Sequence, residues 1–543
     1  MENTRGLSRR GFIGAAAGAT AAAAVGVGAG PAHAQPVSSG AGGPGGGALA
    51  LVNGKIHTFD GNNTVVSQAL IKDGRFVEVG SVGGGHGPRE TINLKGRTVI
   101  PGIIDNHVHF VRIGQAVGHD MRRLETAFSI EEAQQVIADY ASEIDEGEWL
   151  TALAGIAQRQ FADPARFPSR EELDEAAPDH PVVISELFAG QTNTLGRDRL
   201  RELGVSVPDD GSVNQGAAYN ALAPFITMET KKREQLRVSD YVLSLGLTAV
   251  MDDHGSAGGP AGTLHRVTGH DHVVELWREG RLPVRVRARF PEQSDTAVLQ
   301  AYVNHRWEGF GDDMMTNAGI GEWAPRGANY QTSLRIIAER SYAYHQHLIS
   351  TGEIQNHLDQ FEQFIAGNPT LPTPGELHWS LGHIAGITEA QVLQANELGV
   401  GLAPHGWQYL TGNTGQLNWR MIFDLATVPV GTGLDGARVA PLNPWAGVYF
   451  MTAGRNSAGV EVGDGSQTIT REEALRLYTG PQQGWFSKEE DRLGGIGVGR
   501  YADLAVLDAD VFDHNAVPDD RLRKMTSVLT IVNGQVRYDA GIL

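Results

Sequence analysis

Eight short strand-like runs recur between residues 99 and 435, with helical stretches between several of them. They fall at Val99–His109, Thr248–Asp252, Val284–Arg289, Met315–Glu322, Ala343–His347, Trp379–His383, Val400–His405 and Val428–Asp435. Strand-then-helix alternation, repeated, demands parallel pairing. The pattern therefore specifies an α/β fold, a (β/α)8 barrel of the TIM type, spanning residues 99–489. Glu389 to Leu398, with Val392, Leu393 and Leu398 among polar residues, is one of the connecting helices. Residues 110–245 are too long for one crossover and hold their own strands at Trp149–Ala154 and Pro181–Ser185. They are expected to form an insertion over the barrel mouth.

The two ends of the chain share a different texture. Ala48-Leu-Ala-Leu-Val-Asn-Gly opens a series of short strands that continues to residue 98, and Ala502-Asp-Leu-Ala-Val-Leu-Asp and Ser527-Val-Leu-Thr-Ile-Val-Asn-Gly repeat it after residue 490. Short strands with Asn-Gly turns at both ends predict one small β-sandwich domain built from 48–98 and 490–543. Ahead of it, residues 35–47 are a Gly/Ser/Ala/Pro linker. Residues 1–34 read as a leader: Ser8-Arg9-Arg10-Gly11-Phe12-Ile13-Gly14 is a twin-arginine signature, followed by an Ala/Gly-rich stretch and a cleavage site at Ala32-His33-Ala34. The expectation is a chain exported by the twin-arginine route, secreted or resident in the periplasm or cell envelope, with no stable membrane association once the leader is removed.

Charge and cysteine content narrow the chemistry. With 44 basic against 63 acidic residues the net charge is −19, which argues against nucleic acid as a partner. A small molecule is the expected substrate, and a homo-oligomer is compatible with everything in the sequence. There is no cysteine, so any metal must be held by histidine and carboxylate, and no thiol nucleophile exists.

The segment Pro101-Gly-Ile-Ile-Asp-Asn-His107-Val-His109 is the most informative. Residues i and i+2 of a strand point the same way, so His107 and His109 direct two imidazoles at one point at the C-terminal end of the first barrel strand, a chelating arrangement where barrel enzymes carry their sites.

That segment, together with the flanking β domain, Arg166-Phe-Pro-Ser-Arg-Glu-Glu-Leu-Asp-Glu-Ala-Ala-Pro-Asp-His-Pro-Val-Val and the closing Gly499-Arg-Tyr-Ala-Asp-Leu-Ala-Val-Leu-Asp, resembles the amidohydrolase superfamily. The resemblance is to its third branch, that of the N-substituted formamide deformylase-like metal-dependent hydrolases. It implies a divalent metal, one or two ions with zinc favoured by ligand type, held by His107, His109, His347, His383 and Asp435. His345, two residues before His347, is the alternative ligand on the fifth strand. The bridging lysine common in such enzymes has no counterpart, because no lysine occurs between Lys232 and Lys488; Glu322 is the carboxylate available on the fourth strand. Thr351 stands where an aspartate usually follows the fifth-strand histidine. His405 ends the seventh strand, where it either touches substrate or caps a loop. The implied reaction is hydrolysis of a C–N bond of the amide or N-acyl/formyl type, with metal-activated water and Asp435 as proton shuttle. Ester, lactone or cyclic amide hydrolysis, or a non-catalytic binding role on the same barrel, are the alternatives.

Overall fold

The computed structural model describes residues 47–543 apart from 84, 86–88, 116, 162–164, 187, 254–268, 291–295, 306, 323–327, 407, 412–417 and 438. The expected leader and all but the last residue of the linker lie outside the described residues. Among those described, no helix is long and apolar enough to cross a membrane.

Seven parallel strands form one sheet: β1 (Ile103–Val108), β2 (Leu247–Asp252), β3 (Arg285–Phe290), β4 (Met315–Ile320), β5 (Tyr344–Leu348), β6 (Trp379–His383) and β7 (Gly401–Pro404), paired in sequence order. The eighth position, expected as a strand over Val428–Asp435, is made of isolated parallel bridges instead. Leu402 pairs with Val430 and His405 with Gly433 on one side, and Val108 with Gly436 on the other. Backbone bonds from Asn106 N to Thr432 O (3.2 Å), Asp435 N to His107 O (2.9 Å) and His109 N to Gly436 O (3.0 Å) carry the closure. The interruption has a steric cause. A Cβ on Gly433 would lie 2.2 Å from Asp105 Oδ1 and 2.7 Å from His107 N, so this segment approaches β1 more closely than an ordinary strand can. Asp435 and Ala437 then take positive φ (60° and 65°) and end the extended run.

Connecting helices cover the outside. Thr351–Gly367, between β5 and β6, starts at a capping box of Ser350 and Glu353; Glu389–Leu398 starts at Thr388 and Gln391 and stops at Gly399, whose φ of 70° suits only the left-handed region. Their apolar sides pack on the outward faces of the strands, in a core that includes Val286, Phe361, Trp379, Leu381 and Val392.

Strand β3 is unusual. Its outward residues Val286 and Ala288 join that core, while Arg285, Arg287 and Arg289 alternate with them and are all buried. Each arginine meets a carboxylate: Arg285 pairs with Asp503 (2.6 and 3.0 Å), Arg287 with Glu489 (2.6 and 3.0 Å) and Arg289 with Asp253 (3.0 Å).

The chain ends form two sheets. One runs Arg75–Val79, Ala69–Lys72, Ala48–Val52, Arg89–Asn93; the other Gln535–Asp539, Ser527–Val532, Leu504–Leu507, Thr98–Pro101, Lys55–His57, Val65–Val66. Leu51, Ile71, Phe76, Val99, Leu504, Val506 and Ile531 are buried together between them, each such side chain contributing about 1.5–3 kcal/mol of apolar burial. The first barrel run expected from Val99 is thus two strands. Thr98–Pro101 pairs antiparallel with Leu504–Leu507, and β1 begins only after Gly102, where a Cβ would strike Thr248 Oγ1 at 2.0 Å.

Between β1 and β2 the chain builds a five-stranded mixed sheet in the order Ser212–Asn214, Ala189–Thr192, Val182–Ser185, Leu150–Leu153, His119–Asp120, with its own apolar core around Leu124, Ile137, Leu173 and Val182. It meets the barrel just beyond Asp435, where Glu125 accepts the N–H groups of Leu442 (2.9 Å) and Asn443 (3.1 Å).

Candidate metal centre

Six of the residues picked out in the sequence converge at the C-terminal ends of the barrel strands. His107 and His109 come from β1 and the residue after it, Glu322 follows β4, His347 lies in β5, His383 ends β6 and Asp435 stands at the eighth position; all are at most 9% exposed. His109 Nε2 lies 2.9 Å from Asp435 Oδ1 and 3.5 Å from Glu322 Oε2. His107 Nε2 lies 3.7 Å from Glu322 Oε1 and 3.8 Å from Asp435 Oδ1, and His383 Nε2 is 3.4 Å from Glu322 Oε1. His347 Nδ1 contacts the same oxygen.

These spacings suit a cation. Nitrogen and oxygen ligands about 2.1 Å from a tetrahedral centre are about 3.4 Å from one another. His107 Nε2, His109 Nε2, Glu322 Oε2 and Asp435 Oδ1 are buried with no hydrogen-bond partner among the described residues, a costly state for polar atoms unless something binds them. The donor set is histidine and carboxylate only, as zinc and similar divalent ions accept. The residues present therefore fit a divalent metal. Two groupings share the space, His107, His109 and Asp435 on one side and Glu322, His347 and His383 on the other, with the two oxygens of Glu322 turned toward different histidines.

Burial sets the protonation states. It holds His107 and His383 below the usual histidine range, so both rings are neutral and able to donate a lone pair. The same burial would raise Glu322, but the imidazole of His107 beside it and the hydrogen bonds from His347 and His383 outweigh it and keep the carboxylate well below its ordinary value. Asp105, whose Oδ1 accepts the His107 N–H (3.0 Å), is pushed by burial to about 8.

The backbone is strained where the ligands sit. His383 has φ 66°, Ile384 φ 43° and Asp435 φ 60°. Left-handed backbone costs a side chain with a Cβ about 1–2 kcal/mol, most of all a β-branched one, and such strain persists only where the surroundings over-determine it.

His405 is placed differently from its expected role beside substrate. It is fully buried, and its Nδ1 accepts the His383 backbone N–H (3.1 Å), so the neutral ring carries its proton on Nε2 and supports His383 from beneath. His345 lies one pleat deeper than His347, with its Nε2 3.1 Å from His107 Nδ1. Two supporting residues escaped the sequence reading. Asp253, directly after β2, has Oδ2 3.2 Å from His107 Nδ1, and Arg289 Nη1 donates to that same oxygen and to the Asn106 carbonyl (3.0 Å each). Burial pushes Asp253 up while Arg289, which cannot discharge, opposes it. The alternating Arg-x-Arg-x-Arg of β3 was the available signal, since three arginines on one face of a barrel strand require buried acids.

A parallel barrel with imidazoles and carboxylates gathered at the C-terminal ends of its strands defines the metal-dependent hydrolase type of barrel. Residues 90–538 match the amidohydrolase family (Amidohydro_3), and the chain belongs to that family. It is 24% identical to N-substituted formamide deformylase of Arthrobacter pascens over 90% of this chain and 98% of that protein. Among solved structures, a metal-dependent hydrolase of Pyrococcus horikoshii OT3 is similar in fold with a TM-score of 0.58 at 19% identity, covering 86% of this chain and 98% of the other. The atrazine chlorohydrolase of Arthrobacter aurescens TC1, complexed with zinc, gives 0.54 at 15% identity over 91% and 95%. The protein is a metal-dependent amidohydrolase acting on small molecules.

Proposed function

We propose that the protein is an exported hydrolase that cleaves the C–N bond of a small amide of the N-acyl or N-formyl type, with zinc as its metal. The observation that carries this reading is the convergence of His107, His109, His347, His383, Glu322 and Asp435 on one buried point. The end-to-end similarity to a formamide deformylase supports the substrate class, and the zinc-bound structural relative supports the metal. The twin-arginine pattern at Arg9 and Arg10 supports export.

His107, His109 and Asp435 would hold one ion, and Glu322, His347 and His383 would hold a second. A bound divalent ion supplies Lewis-acid polarisation of the scissile carbonyl and lowers the pKa of water to about 7. Asp435 accepts a proton from the attacking water on the carboxylate oxygen that does not hold the ion and returns it to the departing nitrogen. Its strained backbone, fixed by the bond from its N–H to His107 O, fixes where the carboxylate points. The buried setting excludes bulk water, so the proton has few competing destinations.

Asp435→Asn keeps the shape and one acceptor oxygen but takes no proton. It should retain most bound metal while losing about 10²–10⁴ in turnover on a panel of N-formyl and N-acyl amides. Near-normal turnover with normal metal content would show that Asp435 is not the shuttle. Export is tested separately: Arg9→Lys with Arg10→Lys should leave precursor inside the cell, and normal export of that variant would remove the localisation.

A further inference from the structure

We propose that His345 is a positioning residue for His107: a hydrogen-bonded file running from β6 through His345 fixes which nitrogen of His107 carries the proton, and so which nitrogen faces the metal. The proposal rests on the reading of His107 as a metal ligand.

The file starts at Ser380 on β6. Its hydroxyl lies 2.8 Å from His345 Nδ1, where it can accept the proton of that nitrogen while its own proton turns toward the Tyr344 carbonyl at 3.5 Å. A neutral imidazole has one donor and one acceptor nitrogen, so His345 Nε2 must then accept, and the group opposite it is His107 Nδ1 at 3.1 Å. Asp253 Oδ2, 3.2 Å from the same Nδ1 and paired with Arg289, is a second acceptor and presses for the same tautomer. The proton of His107 therefore sits on Nδ1, and the lone pair on Nε2 faces Glu322 and Asp435. The opposite tautomer would aim a proton where a metal needs a lone pair.

The backbone keeps a slot open for this ring. A Cβ on Gly382 would lie 2.4 Å from His345 Nε2, so the glycine on β6 clears the space the imidazole occupies, while one on Gly321 would lie 2.6 Å from Asp253 Oδ1, so the glycine just after β4 makes room for the carboxylate beside it. His345 and His347 share one face of β5 but act at different depths: His347 reaches Glu322, while His345 reaches only the far side of His107. The His107, Asp253 and His345 grouping is thus tied together by the His345–His107 bond and by Arg289 on Asp253, which makes it a support for His107 in this proposal.

Two substitutions separate positioning from packing. His345→Gln keeps an acceptor for His107 and a donor for Ser380, whereas His345→Leu fills the slot with neither. Zinc affinity of purified protein, measured by competition with a chromophoric chelator, should fall about 10–100-fold in His345→Leu, the range for losing a partner behind a metal-ligating histidine, and recover most of that loss in His345→Gln. The visible spectrum of the cobalt-substituted protein should shift in the leucine variant and return in the glutamine variant. Wild-type affinity in His345→Leu, or an equal loss in both variants, would overturn the proposal. Should the leucine variant fail to fold, Ser380→Ala breaks the file one step back; it should weaken zinc several-fold, and unchanged affinity there overturns the proposal as well. His107→Ala is the control that distinguishes the two levels: if it binds zinc normally, the reading of His107 as a ligand has failed, and if it loses zinc while His345→Leu does not, only the role of His345 has.

Discussion

The first ion pair on β3 gives a prediction whose size follows from the structure. Arg285 is fully buried and Asp503 nearly so, with side chains 0% and 7% exposed, and the guanidinium grips the carboxylate with two bonds of 2.6 and 3.0 Å. Asp503 also accepts the Asn533 N–H (2.8 Å), so the pair joins the barrel strand to the sandwich. Two unit charges about 4 Å apart attract by about 4 kcal/mol at an effective dielectric constant of about 20. Asp503→Asn keeps the shape but removes that attraction and leaves Arg285 charged and buried, for an expected loss of about 3–5 kcal/mol. Replacing both partners, Arg285→Met with Asp503→Leu, removes the stranded charge and should recover most of the loss. Urea unfolding followed by circular dichroism, with the three proteins compared at one metal concentration, measures it. A loss below about 1 kcal/mol in Asp503→Asn, or a double variant weaker than the single one, would refute the claim that a buried charge needs its partner here.

Two further outcomes are expected. His405 is held well below the usual histidine range, first by burial and then by the neighbouring His383 and His345; because its folded value is depressed, the unfolded chain takes up the proton first, and its share of stability is lost as pH falls below 6.5. His405→Gln, which can still accept the His383 N–H, should therefore flatten the pH dependence of unfolding free energy in metal-free protein between pH 6.5 and 5 by about 1.4 kcal/mol per pH unit relative to wild type, and an unchanged slope would count against a neutral His405. Gly433→Ala would bring a Cβ to 2.2 Å from Asp105 Oδ1 and 2.7 Å from the His107 amide, so it should displace β1 or the eighth segment and weaken metal binding at least 10-fold; normal metal affinity and normal stability in that variant would show that the approach is looser than described.

The barrel strands were legible because strand-like runs alternate with helical stretches, and the ligand pair His107 and His109 because a two-residue period admits only one geometry. What failed to show in the sequence depended on approach distances. Nothing in Val428–Asp435 says that the glycines at 431 and 433 let the chain press against β1 rather than run as a regular strand. The depth difference between His345 and His347 is likewise a matter of pleat position, and residue type alone left both as ligands. The arginines of β3 announced that acids must face them, but Asp503 lies more than 200 residues away in sequence, and only the fold could choose it among 63 acidic residues.

That distance matters during synthesis. Arg285 and Arg287 leave the ribosome about 200 residues before Glu489 and Asp503 exist. At 5–20 residues per second the interval is about 10–40 s, during which two guanidinium groups have no carboxylate to follow them out of water. A charge that cannot discharge resists burial, so β3 is expected to stay hydrated until the final tenth of the chain arrives. The arginines act as a timing element: they discourage early collapse around an incomplete floor and tie assembly of the metal centre to completion of the polypeptide.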